Sequence, residues 1–106
     1  MWRSGEAGAV ISLLARLAEE YPDAPPIRGM LGGYLEDLGR HREALPHLDA
    51  SVRLSPGSEL ASITRFHAHW AVGRESDAWA EARRFISVGA SGEYEQLFVE
   101  LGERPD

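Results

Sequence analysis

The chain contains neither cysteine nor lysine. Without cysteine it has no thiol nucleophile, no disulfide framework and no cysteine-ligated zinc or iron–sulfur site. No apolar run approaches the roughly 20 residues that a membrane-spanning helix needs. The N-terminal stretch Met-Trp-Arg-Ser-Gly-Glu lacks the apolar core of a signal peptide. We therefore expect a cytoplasmic protein that has no membrane association and binds no metal or other cofactor.

Positive charge is also scarce. All 11 basic residues are arginine, and 17 acidic residues outnumber them, which gives a formal net charge of −6 at pH 7. This balance argues against nucleic acid as the main partner, because nucleic-acid binding relies on basic surfaces. The length of 106 residues indicates a single domain, and 43% hydrophobic with 26% charged residues is typical of a folded globular chain.

An internal repeat organises what remains. Gly39 and Gly73 are 34 residues apart, Ala44 has the same offset from Ala78, and the two prolines Pro22 and Pro56 repeat it. Several independent pairs that agree on one period indicate a repeat architecture.

Apolar residues at three- and four-residue steps predict an all-α fold of about six helices. Their predicted spans are 7–20, 27–39, Ala44 to before Pro56, 58–72, 77–88 and 93–101. Gly39 and Gly73 are expected to end their helices in the left-handed conformation. Ser58 is expected to cap the fourth helix, because its hydroxyl can accept from a free backbone N–H.

The first full unit resembles the tetratricopeptide repeat (TPR) family. It carries Leu31-Gly32, then Ala44, Leu48 and Pro56, at the spacing of the family's pattern. The resemblance implies antiparallel helix hairpins stacked as a short right-handed solenoid in one domain, residues 1–106. Its parts would be a half repeat over 7–22, repeats over 23–56 and 57–90, and a capping half repeat over 91–102.

The chain also departs from the family pattern. Arg28 replaces an aromatic residue, and Leu35 and His69 replace a tyrosine. Phe66 occupies the counterpart of Gly32, so the second helix pair is expected to sit wider or to rotate. Glu100 takes a small-residue position in the last half repeat, which favours a terminal cap on which nothing stacks.

TPR domains usually bind peptides on the concave face that is lined by the first helix of each repeat, so the resemblance implies a set of partner-binding positions. These positions are Gly33, Glu36, Asp37, Leu60, Ile63, His67, Trp70, Tyr94 and Leu97. Gly29 and Gly33 stand where chaperone-binding members clamp a carboxylate with Lys and Asn, so that clamp is absent. Glu36 and Asp37 at the edge of the groove favour a basic ligand.

The apolar stripe of Leu60, Ile63, His67 and Trp70 has three interpretations: ordinary core, a ligand groove with Trp70 as its anchor, or a surface for self-association. A non-enzymatic protein–protein interaction module follows from the second. The alternative is a self-associating, homo-oligomeric scaffold unit whose stripe is buried in the assembly.

Chemistry at the polar residues is not expected. Glu36 and Arg40 are predicted to pair on a solvated helix face, with no nucleophile or phosphate-binding loop nearby. His67 and His69 are two residues apart and cannot chelate one metal from one helix face, and His41 and His47 are equally poorly spaced. We interpret all four as surface histidines.

Overall fold

The computed structural model describes residues 4–101, and within that range it contains six helices and no strand. The helices are α1 (Ser4–Glu20), α2 (Pro25–Asp37), α3 (His41–Leu54), α4 (Glu59–Ala71), α5 (Glu75–Val88) and α6 (Gly92–Leu101). Consecutive helices from α1 to α5 pack against each other, and α2 also contacts α4. The predicted all-α fold of six helices is confirmed.

The two full hairpins turn in the same way. Gly39 and Gly73 have φ of 75° and 82°, a region that L-residues other than glycine avoid. After each glycine the next backbone N–H returns to the helix: Arg40 N donates to Leu35 O, and Arg74 N donates to His69 O, both at 2.8 Å. This is the glycine-ended helix terminus that the sequence predicted. The repeat period therefore reflects one turn geometry used twice.

Ser58 caps α4 as predicted, since its Oγ accepts from Ala61 N at 3.2 Å. Helix α5 begins two residues before its predicted start, at Glu75.

The interior consists of two clusters. The first is aliphatic and lies among α1, α2 and α3, with Ala68 of α4 at its edge. The second is aromatic and joins α4, α5 and α6 through Phe66, Trp79, Phe85, Tyr94 and Phe98. Ring centroids within it are 5.2–5.9 Å apart, the range of favourable aromatic pairs. The aromatic cluster holds the terminal helix α6 on the second hairpin.

The two hairpins divide their volume differently at equivalent positions. In the first, Gly32 lies against Leu48, and a Cβ on Gly32 would stand only 2.6 Å from Leu48 Cδ2. In the second, 34 residues on, the large side chain is Phe66 of the first helix and the small one is Ala82 of the second, and both are buried in the aromatic cluster. The bulk of Phe66 is thus matched by a small residue on the facing helix.

A buried polar chain ties α6 to the second hairpin. Tyr94 donates to Ser62 Oγ at 2.7 Å, and Ser62 donates its only proton to Glu81 Oε2 at 2.6 Å. Glu81, which is 2% exposed, also accepts from Arg65 Nη1 at 2.7 Å and from Arg84 Nη2 at 2.6 Å. Burial alone would raise the pKa of Glu81, but the hydrogen bonds from Arg84 and Ser62 outweigh it and hold that pKa below its ordinary value.

Two predictions about polar residues are wrong. Glu36 does not pair with Arg40; it accepts from His41 Nδ1 at 2.6 Å, while Arg40 pairs with Glu43. The turn after α2 brings His41 back over the last turn of that helix, whereas Arg40 points toward its own helix, α3. His69 is not a surface residue: it is buried in the equivalent position to Leu35, and burial lowers its pKa.

Candidate functional site

A groove of about 550 Å³ runs between α2 and α4 and is floored by residues of α3. We call it the α2/α4 groove. Its lining is mostly apolar or small. The lining residues are Pro25, Pro26, Gly29, Met30, Gly33, Glu36, Asp37, Leu48, Ser51, Ser55, Ser58, Leu60, Ala61 and Thr64.

Two glycines one helical turn apart open the α2 wall of this groove. A Cβ on Gly33 would meet nothing within 4 Å, so the groove passes directly over the α2 backbone at this point. At Gly29 a Cβ would lie 3.3 Å from Ser51 Oγ, so even a methyl group would narrow the groove there. Glycine in a helix costs about 0.5–1 kcal/mol relative to alanine. The sequence accepts that cost twice on the wall of one groove.

Exposed apolar side chains stand beside the glycines. Leu60, in the first turn of α4, is 78% exposed, and Met30 on the opposite wall is 49% exposed. A leucine this accessible contributes little to the core, because burial of its apolar area is what would stabilise the fold. Both side chains are available for contact with another molecule.

The end of the groove near the C-terminus of α2 is acidic. Glu36 is held by His41, whereas Asp37 is exposed and makes no ion pair with any residue of the described range. A carboxylate in the last turn of a helix is disfavoured by the helix dipole. Asp37 therefore sits where neither a partner nor the helix stabilises its charge.

A second, smaller recess of about 240 Å³ lies between α4 and α6, and we call it the α4/α6 recess. It is lined by His67, Glu93, Gln96, Leu97 and Glu100. Gln96 donates to Glu100 at 2.8 Å across one turn of α6. Glu100 is exposed, as expected for a cap helix.

The structure separates the nine candidate residues into three groups. Gly33, Glu36, Asp37 and Leu60 line the α2/α4 groove, and His67 and Leu97 line the α4/α6 recess. Ile63, Trp70 and Tyr94 belong to neither lining.

These last three residues face the aromatic cluster. Ile63 and Trp70 are partly buried against it, with the Trp70 ring stacked on Phe66 at 5.9 Å. Tyr94 is fully buried, and its hydroxyl bonds Ser62. The apolar stripe on α4 is thus split: Leu60 faces the groove, whereas Ile63 and Trp70 pack toward α5 and α6.

Sequence reasoning missed the floor and one wall of the groove. Ser51 and Ser55 reach it from α3, and Met30 and Thr64 complete its walls. The available signal was Ser51, which repeats a position that the family keeps small, so the second helix does not close the groove from below.

Comparisons with known proteins place the fold. No protein-family model matches the chain, and no curated protein matches it. A solved structure of MamA (AMB-1) is similar with a TM-score of 0.73 and 24% sequence identity, over 95% of this chain and 54% of that one. The chain thus spans about half the length of that structure.

Over residues 4–101 no helix is long and apolar enough to cross a bilayer, and no three His, Asp or Glu side chains are grouped as metal ligands. The agreement in fold with MamA, together with six helices that pack in sequence, shows that the chain is a TPR-like helical solenoid.

Proposed function

We propose that the chain is a non-enzymatic protein-interaction module that binds a segment of a partner protein on the face formed by α2, α4 and α6, the first-helix face. The observation that carries this proposal is the open α2/α4 groove, where Leu60 and Met30 stand exposed beside a glycine wall. Exposed apolar surface in a concave site is the usual mark of a docking site for another molecule. The same proposal assigns α2 and α3 to one repeat (23–56) and α4 and α5 to the next (57–90).

The size of the groove fits a short peptide segment. It follows α2 from Pro26 to Asp37, 11 residues along a helix, or about 16 Å at 1.5 Å per residue. A strand-like segment of roughly five residues covers that length at ~3.3 Å per residue. Leu60 lies near the Pro26 end and the carboxylates of Glu36 and Asp37 lie at the other.

Leu60, rather than Trp70, is the proposed anchor contact. Trp70 is partly buried against Phe66 and Trp79, so its removal would damage the core as well as any binding site. Leu60 can be changed with little effect on packing, because 78% of it is already in solvent.

A peptide selection tests the proposal. The chain is immobilised and used to enrich peptides from a random 12-residue display library, and the enriched peptides are titrated calorimetrically. We expect Leu60→Ala to weaken their binding by about tenfold, a typical loss for truncation of an apolar anchor. Val88→Ala is the matched control, since Val88 is 59% exposed on α5, outside both linings. Enriched peptides whose affinity ignores Leu60→Ala, or a failure to enrich any, would contradict the proposal.

Self-association is a second candidate, favoured by apolar residues at the two ends of the solenoid. Leu13 on α1 is 48% exposed, and Val99 on α6 is 82% exposed. Stacking of one copy on the next would cover both. Light scattering over a concentration series distinguishes this candidate: association that Val99→Glu abolishes supports it, and a constant monomer mass excludes it.

A further inference from the structure

Arginine is segregated away from the first-helix face. Helices α2, α4 and α6 carry only two arginines, Arg28 and Arg65. Arg28 Nη1 donates to His47 of α3 at 3.1 Å, and Arg65 donates to Asp49 of α3 and Glu81 of α5, both at 2.7 Å. Each guanidinium is therefore drawn toward a second helix, and neither lines the α2/α4 groove or the α4/α6 recess.

Carboxylates remain on the same face. Glu36 and Asp37 line the groove, and Glu93 and Glu100 line the recess on the other side of α4. Asp37 and Glu93 make no ion pair within the described residues. Carboxylates grouped in clefts with apolar walls strengthen the local negative potential, because the walls exclude the water that would screen it.

We infer that the occupant of the first-helix face is a cationic partner segment. This segment presents an apolar side chain to Leu60 and an arginine or lysine about 16 Å away, at Glu36 and Asp37, the length of the α2 wall. The inference rests on the proposed function and names the chemistry of its partner. A second copy of this chain is a poor occupant, because its net charge of −6 would be repelled by the same carboxylates.

The test uses the peptides enriched by the intact chain and a pair of charge-matched variants. Asp37→Asn/Glu93→Gln removes one acid from the last turn of a helix and one from the first turn of another, both on the first-helix face. Glu19→Gln/Glu75→Gln makes the same changes on α1 and α5, where both carboxylates are exposed, and alters the net charge equally.

We expect the enriched peptides to carry a net positive charge. Asp37→Asn/Glu93→Gln should weaken their binding about 3- to 10-fold at 50 mM salt, while the control pair changes it less than about twofold. Raising the salt to 300 mM should weaken binding to the unmodified chain and reduce the difference between the two pairs, because screening acts on exposed charges.

Three results would overturn the inference, and they differ in what they say of the proposed function. Neutral or acidic peptides whose binding needs Leu60 but ignores Asp37→Asn/Glu93→Gln would overturn the cationic partner and leave the proposed function standing. Peptide binding that also ignores Leu60→Ala would overturn both. Enriched peptides that are displaced by a second copy of the chain, at concentrations where light scattering shows association, would assign the face to self-assembly.

Discussion

Gly32 lies so close to Leu48 that a single methyl group at position 32 would come within 2.6 Å of Cδ2 and 2.8 Å of Cγ of that leucine. The next residue, Gly33, has open space in the same place. Two adjacent glycines of one helix are thus retained for different reasons, the first by helix packing and the second by the shape of the groove.

The glycine pair predicts opposite effects of the same substitution. Gly32→Ala should lower the free energy of unfolding by about 1–3 kcal/mol, because Leu48 is buried and must shift to make room. Gly33→Ala should raise it by about 0.5–1 kcal/mol, because alanine favours the helix and meets no neighbour. Urea denaturation of the two variants measures both; equal effects of the same sign would contradict the assigned contact.

A double-mutant cycle isolates the contact itself. Leu48→Ala alone should destabilise by about 2–5 kcal/mol through the cavity that it leaves. In that background Gly32→Ala should become neutral or stabilising, because the clashing side chain is gone. An unchanged penalty would place its cause elsewhere in α2.

Glu81 should make the fold sensitive to acid. Its pKa is lowered in the folded chain, so its contribution is present above the ordinary value of 4.5 and is lost as the pH falls through the folded value. Glu81→Gln should remove this acid-dependent loss and, near pH 7, lower stability by about 3–5 kcal/mol, since Arg65 and Arg84 lose their charged acceptor. Chemical denaturation from pH 7 to pH 3 measures both effects, with exposed Glu95→Gln as the control. An unchanged acid profile in Glu81→Gln would contradict the prediction.

His69 should add a second dependence on pH, nearer to neutrality. Its side chain is buried and Nδ1 has no hydrogen-bond partner within the described residues. Burial lowers its pKa below 6.5, with a smaller contribution from Arg65, while Asp49 and Asp77 oppose the shift. The unfolded chain therefore binds the proton more readily, and the free energy of unfolding falls as the pH drops below about 7 through the folded value.

Substitution of His69 checks this interpretation. His69→Leu restores the residue found at the equivalent position, Leu35, and should flatten the stability profile between pH 7 and pH 5. His67→Gln, on the exposed side of the same helix, should leave the profile unchanged. His47, whose pKa is lowered by burial and then by Arg28, accounts for the slope expected to remain. If His69→Leu kept the full slope, the assignment would fail.

Tyr94→Phe should loosen α6 without removing a ring from the aromatic cluster. The hydroxyl is the only part lost, and a single buried hydrogen bond contributes about 0.5–1.5 kcal/mol. Hydrogen exchange should accelerate mainly in the amides of α6, with the first hairpin unaffected. No change in α6 exchange would show that the rings alone hold this helix.

Most of the fold was legible in the sequence because local chemistry determined it. Gly39 and Gly73 had to end helices, Ser58 had to cap one, and apolar steps of three and four gave six helices. Helix rotation was harder, because periodicity defines an apolar stripe but not which neighbour it meets. Leu60 and Trp70 share a stripe, yet one is exposed in the groove and the other packs on Phe66.

The site was predicted in part for the same reason. Gly33, Glu36, Asp37 and Leu60 do line one groove. The role of Ser51 and Ser55 depends on how closely α3 approaches α2, which Gly32 and Leu48 set through a contact between residues distant in sequence. Likewise, the pairing of Glu36 with His41 depends on the path of the turn rather than on helical spacing.

The exchange of large and small residues between Gly32–Leu48 and Phe66–Ala82 limits how this chain can be recombined. A chimera with α2 facing α5 would set Gly32 opposite Ala82 and leave a void, and one with α4 facing α3 would force Phe66 onto Leu48. Whole hairpins are therefore the smallest pieces that can be shuffled, duplicated or grafted into a longer array, and any engineered junction belongs in the loops before α2, between α3 and α4, or after α5.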